Sequence, residues 1–296
     1  MLCRIFYFSS FFLFCFYLKV SANEELIKKG EYIFKASGGC SCHTDFKNNG
    51  IFLAGGRSIE TPFGTFFGSN ITPDIETGIG SWSDEDFIRA MTKGISPEGK
   101  IYFPVFPYSS FQIMNRSDLI ALKEYIFSVY PVNQKNTPHK LILPIGRKIP
   151  MIFWKKFVWE SKKFENNTKK NKSWNRGAYL VDGIAHCGEC HTPRNILGGL
   201  NYKMNLAGSI KSLEGELAPN ITPDYKNGIG SWSKIDITYF LQTGIKPNGD
   251  ITEGLMGEII ELGYQYYNEE DLNAIADYLK NLPQIENNLK IKPKKP

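Results

Sequence analysis

Apolar residues recur at helical spacing in six stretches of the chain. Between Glu24 and Ser37, Leu26, Ile27, Ile33 and Phe34 line up on one side of a helix, and Arg176 to Ile184 repeats that stretch later. Ser83 with Asp86 and Ser233 with Asp236 have capping-box spacing, and Gly94 and Gly244 stop the helices those boxes open. Two final helices are predicted at Ser117 to Ser128 and Glu269 to Leu282, followed by Pro131 and Pro283. The intervening segments are rich in Gly, Pro, Asn and Thr and read as loop. The pattern therefore predicts a mainly α protein whose short helices are separated by long loops. Helices this short, with so much loop, would pack poorly unless a flat apolar group filled the centre.

The helical pattern is duplicated. Asn70-Ile71-Thr72-Pro73-Asp74 returns as Asn220-Ile221-Thr222-Pro223-Asp224, and Gly78-Ile79-Gly80-Ser81-Trp82-Ser83 as Gly228-Ile229-Gly230-Ser231-Trp232-Ser233. With only two copies, the reading is a tandem pair of domains and not a solenoid. The boundaries fall at 23–130 and 173–284, with an aromatic and basic linker at 131–172 and a basic, flexible tail at 285–296.

The ends and the linker have their own character. Arg4, the apolar run Ile5 to Leu18 and Val20-Ser21-Ala22 have the layout of a secretory signal peptide over 1–22, with an uncleaved anchor as the alternative. The formal charge of +5 is small, and nothing in it calls for nucleic acid. In the linker, Ile149 to Trp159 mixes aromatic residues with Lys155 and Lys156. That composition suits a strap with a solvated basic face, or a segment that contacts a membrane surface or a partner.

The chemistry lies in four cysteines. Beyond the leader only Cys40, Cys42, Cys187 and Cys190 remain, and each pair stands directly before a histidine. Cys187-Gly188-Glu189-Cys190-His191 has the spacing for covalent haem attachment: two thiols add across the porphyrin vinyl groups and the histidine reaches the iron. A zinc ribbon would need a second pair of like spacing, and a redox dithiol gives no reason for the histidine. The first copy, Cys40-Ser41-Cys42-His43, is one residue short. Counted back from His43, Gly39 stands where the first cysteine should be. Either Gly38 and Gly39 let the turn bend so that Cys40 still reaches its vinyl group, or Cys42 alone holds the haem.

These residues, with Leu53-Ala54-Gly55-Gly56, Thr61-Pro62-Phe63-Gly64-Thr65, Phe106-Pro107-Tyr108 and Trp174-Asn175-Arg176-Gly177-Ala178-Tyr179-Leu180, carry a family resemblance. The chain resembles the dihaem cytochromes c related to the cytochrome subunits of bacterial membrane-bound alcohol, gluconate and aldehyde dehydrogenases. The resemblance implies two tandem class I cytochrome c domains with long loops around two covalently bound haems. It places the chain in the periplasm, relaying single electrons from a dehydrogenase to an oxidase or a soluble cytochrome, with no catalytic residue of its own.

A class I haem takes a second axial ligand, usually methionine, opposite its histidine. The family's pattern puts Met256 opposite His191. Phe106 aligns with Met256, so Met114, just before the last helix of the first copy, is the expected ligand opposite His43. His139 lies outside both copies and His186 too near its own attachment site to serve. Arg57, Trp82, Arg194 and Trp232 are candidate contacts for the haem propionates, with ordinary core or surface roles as the alternative. The rival function is a dihaem redox enzyme, a peroxidase or an oxidase of thiols or sulfur, using an open iron in the irregular first domain.

Overall fold

A computed structural model of the chain describes residues 23–142 and 148–289. Residues 1–22, where a signal peptide is expected, and the end of the tail, 290–296, lie outside the described residues. The structure is mainly α, as the hydrophobic pattern predicts. In the first half, α1 runs over 23–36, α2 over Asp84–Lys93, the single-turn α3 over Tyr108–Phe111 and α4 over Arg116–Ser128. After the linker helix α5, Lys148–Phe157, the second half contains α6 at Lys172–Tyr179, α7 at Gly188–His191, α8 at Lys234–Thr243, α9 at Gly254–Leu262 and α10 at Glu269–Lys280.

The expected caps are present. Ser83 and Ser233 close reciprocal boxes with Asp86 and Asp236, and Gly94 and Gly244 end their helices in the left-handed conformation. Asn115 and Asn268 cap α4 and α10 by accepting from the N–H groups of Asp118 and Asp271.

The first and last helices of each half cross with their backbones in contact. A Cβ on Gly30 would lie 1.9 Å from the Ala121 carbonyl oxygen and 2.8 Å from Cβ of Tyr125. At Gly177 the matching distances are 2.0 Å to Ala274 and 2.7 Å to Tyr278. Only glycine permits so close an approach.

The halves share one continuous apolar core, to which Ile33, Phe34 and Leu122 contribute from the first and Leu180, Ile184 and Ile275 from the second. Two polar latches cross it. The Tyr32 hydroxyl donates to Asp271 at 2.6 Å, and the Tyr179 hydroxyl donates to Asp118 at 2.8 Å. Each aspartate is also paired within its own half, Asp118 with Lys29 at 2.6 Å and Asp271 with Arg176 through two bonds of 2.7 Å. Both carboxylates are buried, so each cation and hydroxyl offsets part of the desolvation cost of its aspartate.

Three findings depart from the sequence-based expectation. The middle of the first half is not all loop: β1, Ser58–Thr61, pairs antiparallel with β2, Gly64–Phe67, and β2 with β3, Lys140–Leu141, from the linker. Ile59 and Phe66 alternate inward, a period-2 signal too short to register against the surrounding turns. The linker is helical in its middle and lies across both halves. The Trp154 indole donates to the Leu197 carbonyl at 2.8 Å, while Lys155 donates to the carbonyl of Lys93 at the end of α2 and lies over the rings of Tyr108 and Trp159. Finally, the tail is not free from residue 285. Asn220 donates to the Ile285 carbonyl at 2.8 Å, and Asn287 donates to the Ala207 carbonyl at 2.9 Å. The first half does the same with the start of the linker, where Asn70 donates to the Val132 carbonyl at 2.8 Å.

Candidate haem sites

The second attachment turn starts where α6 widens. Over Leu180–Ile184 the helix loosens, and the Ala185 and Cys187 N–H groups reach back to the carbonyls of Leu180 and Val181. Cys187 then opens α7, and its carbonyl accepts the His191 N–H at 3.0 Å, one full α-turn on. Thr192 follows, and its hydroxyl accepts the N–H of Leu206 at 2.9 Å. Nδ1 of His191 lies 2.7 Å from the Pro219 carbonyl. A carbonyl only accepts, so Nδ1 carries the proton and Nε2 keeps its lone pair for a metal.

The first turn reaches the same arrangement with one residue fewer. It is a tight 3₁₀ turn over Ser41–His43, and the Cys40 carbonyl accepts the His43 N–H at 2.9 Å. Thr44 accepts the Leu53 N–H at 2.9 Å, and Nδ1 of His43 lies 2.8 Å from the Ser69 carbonyl. Counted forward from the glycines at the helix crossings, Gly30 and Gly177, Cys40 and Cys187 stand at equal distances, but the second copy takes up one more residue in its widened turn over Leu180–Ile184. The Gly39 N–H reaches the Phe34 carbonyl and the Cys187 N–H the matching Val181 carbonyl, so Gly39 keeps the backbone place of Cys187. Cys40 stands one residue further on, and its turn to His43 is a 3₁₀ turn where the second copy has an α-turn. Gly38, Gly39 and Cys40 all have positive φ there, and only Cys40 bears the steric penalty, about 1–2 kcal/mol.

Burial favours the neutral form of both the imidazoles and the thiols. Burial lowers the affinity of His43 and His191 for a second proton, and the carbonyls only partly oppose that. Burial also pushes the thiols up, to about 12 for Cys40 and Cys187 and about 11 for Cys42. All four cysteines are free of disulfides. Paired thiols beside a histidine with a free Nε2, present twice, fit a c-type haem.

The proposed axial methionines lie in different settings. Met114 is buried directly before the cap Asn115, whereas Met256 is half-buried in the first turn of α9. Counted back from the caps Asn115 and Asn268, the residue matching Met114 is Tyr267, whose hydroxyl donates to the Ala36 carbonyl at 2.7 Å. The two halves thus present their methionines from different points of the same connection. Met91 and Met151 are core residues.

Both candidate propionate arginines already hold carboxylates. Arg57 pairs with Glu214 at 3.0 Å and, more closely, with Glu258. Arg194 pairs with Glu189 and donates to the Gly198 carbonyl at 2.8 Å. Trp82 packs against the shared core, and Trp232 packs edge-on against Phe240.

Sequence reasoning missed Glu189. It lies between Cys187 and Cys190 at 3% exposure and accepts from Ser109 at 2.9 Å and Ser110 at 2.7 Å. Burial would raise its carboxyl, but Arg194 and the two serines outweigh that and keep it below the usual range. The carbonyls of Ser69 and Pro219 were also missed. They directly precede the duplicated Asn-Ile-Thr-Pro-Asp segments, in which Asn70 and Asn220 each accept from the Thr two places on. The duplication had pointed to those loops without revealing that they orient the histidines.

Asp182, beside Cys187, gives a test by pH. Burial raises its carboxyl to about 6, although the Tyr278 hydroxyl donates to it at 2.7 Å. Above about pH 6 the folded chain must hold a buried charge that the unfolded chain exposes to water, so this group destabilises the fold there. As pH falls from about 6 to about 4 that cost, up to about 3 kcal/mol, disappears. Asp182→Asn keeps an acceptor for Tyr278 and should raise the melting temperature at pH 7, with the gain shrinking towards zero below pH 4.

No protein-family model matches the chain, but individual relatives do. It is 38% identical over 262 residues to a "Diheme cytochrome c-type" protein of Cereibacter sphaeroides, covering 87% of this chain and 86% of that one. It is 35% identical over 272 residues to the gluconate 2-dehydrogenase cytochrome c subunit of Pantoea cypripedii, covering 88% of this chain and 60% of the relative. It is 38% identical over 265 residues to the fructose dehydrogenase cytochrome subunit of Gluconobacter japonicus, covering 89% and 54%. These relatives make the chain a c-type cytochrome, a protein that carries electrons on covalently bound haem. Within that class, the chain belongs to the dihaem cytochrome c family whose members include cytochrome subunits of sugar and alcohol dehydrogenases. It spans only a little over half the length of those dehydrogenase subunits.

Proposed function

We propose that the chain is an exported dihaem cytochrome that passes single electrons from a dehydrogenase to an oxidase or a soluble cytochrome in the periplasm. One observation carries the reading: each half presents two thiols outside any disulfide and an imidazole whose Nδ1 is committed to a carbonyl, so each is equipped for one covalent haem. Bound there, the haem supplies a one-electron redox change at iron without substrate binding when both axial positions are filled. The protein's part is to hold and shield. Cys40 with Cys42, and Cys187 with Cys190, fix the two groups. His43 and His191 would hold the iron through Nε2, kept in one tautomer and one orientation by the carbonyls of Ser69 and Pro219. Met114 and Met256 are the proposed second ligands.

In this reading 1–22 is the signal for export, 23–130 and 173–284 are the two cytochrome domains, and 131–172 is the strap that joins them. Among the described residues no helix is long and apolar enough to cross a membrane. The dehydrogenase partner is supported by relatives that are named as dehydrogenase subunits. Contact with a membrane surface through Ile149 to Trp159 is supported by the exposed, stacked rings of Phe153 and Phe157.

Intact mass of the chain purified from a host with cytochrome c maturation should show two added haems. One added haem would mean that the shortened first turn does not complete attachment. Carbon monoxide separates the relay from the enzyme reading. A relay with both axial positions filled leaves the reduced spectrum unchanged, and strong binding at the first haem would favour a dihaem enzyme.

A further inference from the structure

The residues that grip each attachment turn come largely from the opposite half of the chain. In the first turn, Arg57 donates to the carbonyl of Ser41, the residue between the two cysteines, at 3.4 Å. Its guanidinium is anchored by Glu214 and Glu258, both from the second half. Helix α9 closes over the same turn. A Cβ on Gly38 would meet Ile259 at 3.2 Å, and one on Gly39 would lie 2.7 Å from the Leu262 carbonyl oxygen. In the second turn, one of the two residues between the cysteines is Glu189, held by Ser109 and Ser110 from the first half. Ile113 lies 2.9 Å from a Cβ on Gly183, and the Phe111 ring stands edge-on to His186 with centroids 5.1 Å apart. The segment that carries each proposed axial methionine therefore covers the other half's attachment turn.

We propose that these crosswise clamps position the two haem sites, so that the charge environment of each haem is set from the opposite half. Arg57 is the positioning residue for the first site, with Glu214 and Glu258 as its anchors. Ser109 and Ser110 position Glu189 at the second. The inference rests on the dihaem reading. Three of its members form ion pairs with little solvent around them: the Arg57 side chain is 8% exposed, Glu214 19% and Glu258 28%. Charges this poorly screened act strongly on a neighbouring redox centre.

The sign of each effect follows from Coulomb's law. A negative charge near the iron favours the oxidised form, and removing it raises the midpoint; removing a positive charge lowers it. The test is a redox titration of the purified two-haem protein, resolved into two midpoints, with intact mass reporting the haem count of every variant. Glu258→Gln should raise one midpoint and leave the other in place. Arg57→Gln should lower that same midpoint, and Arg57→Lys should restore it. Ser109→Ala with Ser110→Ala leaves Glu189 less compensated and should lower the other midpoint alone. Arg57 and Glu258 come from different halves, so a response of the same step to both identifies the turn they share. The proposal is overturned if Arg57→Gln and Glu258→Gln act on different steps, if every variant moves both steps alike, or if no step moves. A wild-type mass with one haem would instead count against the dihaem reading itself.

Discussion

Gly177→Val should prevent the second half from folding, and Gly177→Ala should cost about 3 kcal/mol or more. The reason is contact between backbones. A single methyl at Gly177 would stand 2.0 Å from the Ala274 carbonyl oxygen and 2.7 Å from Tyr278 Cβ, inside any van der Waals separation. Neither neighbour can step aside. Ala274 is at 1% exposure in the middle of α10, and the Tyr278 hydroxyl is held by Asp182. Separating α6 from α10 would also pull Arg176 from Asp271 and Tyr179 from Asp118, so the loss would spread to the first half through the shared core. Loss of the folded circular dichroism signal, or a fall in melting temperature, reads the effect. Gly99→Ala is the control. Nothing lies within 4 Å of a Cβ at Gly99, and the cost there should be only the left-handed strain of about 1 kcal/mol.

Met256→Ala should remove the methionine-ligated, low-spin signature of the second haem and lower its midpoint while leaving the first haem intact. Thioether ligation raises the potential because sulfur favours the reduced iron, and alanine offers nothing in its place. The covalent attachment through Cys187 and Cys190 should survive, so the mass stays that of a two-haem chain. That separation distinguishes a ligand from a folding residue. Met256 is only half-buried, and truncating it in an apolar role alone would cost stability without changing the spectrum. Met114→Ala gives the parallel test at the first site. Because Met114 is 6% exposed in the shared core, its loss should lower both the first haem's midpoint and the melting temperature. An unchanged spectrum in either variant would refute that ligand assignment.

The helices, their caps and the spacing of the two Cys–His motifs were legible in the sequence because each depends on residues near one another along the chain. A capping box is set within four residues, a helical stripe within four turns, and a thiol pair with its histidine within five positions. At the first motif, counting back from His43 puts Gly39 in the cysteine's place, and the Gly39 N–H makes the backbone bond that Cys187 makes in the second copy. What adjacency could not show is the left-handed backbone at Gly38, Gly39 and Cys40. The short strands escaped notice because four residues of alternation are too few to outweigh the turn chemistry around them.

The tertiary structure alone decided what surrounds the sites. Arg57 read as a cation free to meet a propionate, and folding brings it to Glu214 and Glu258, far along the chain. Glu189 read as the spacer in a motif, and folding buries it under Ser109 and Ser110. The carbonyls of Ser69 and Pro219 have no side-chain signature at all, yet they set the tautomer of both histidines. Thus the sequence by itself determined the helices, their caps and two Cys–His motifs with like segments around them. Which charges and dipoles act on each site was decided only when the two halves closed on one core, because electrostatic partners are chosen by distance in space and low local dielectric, and neither is written in the spacing of residues along the chain.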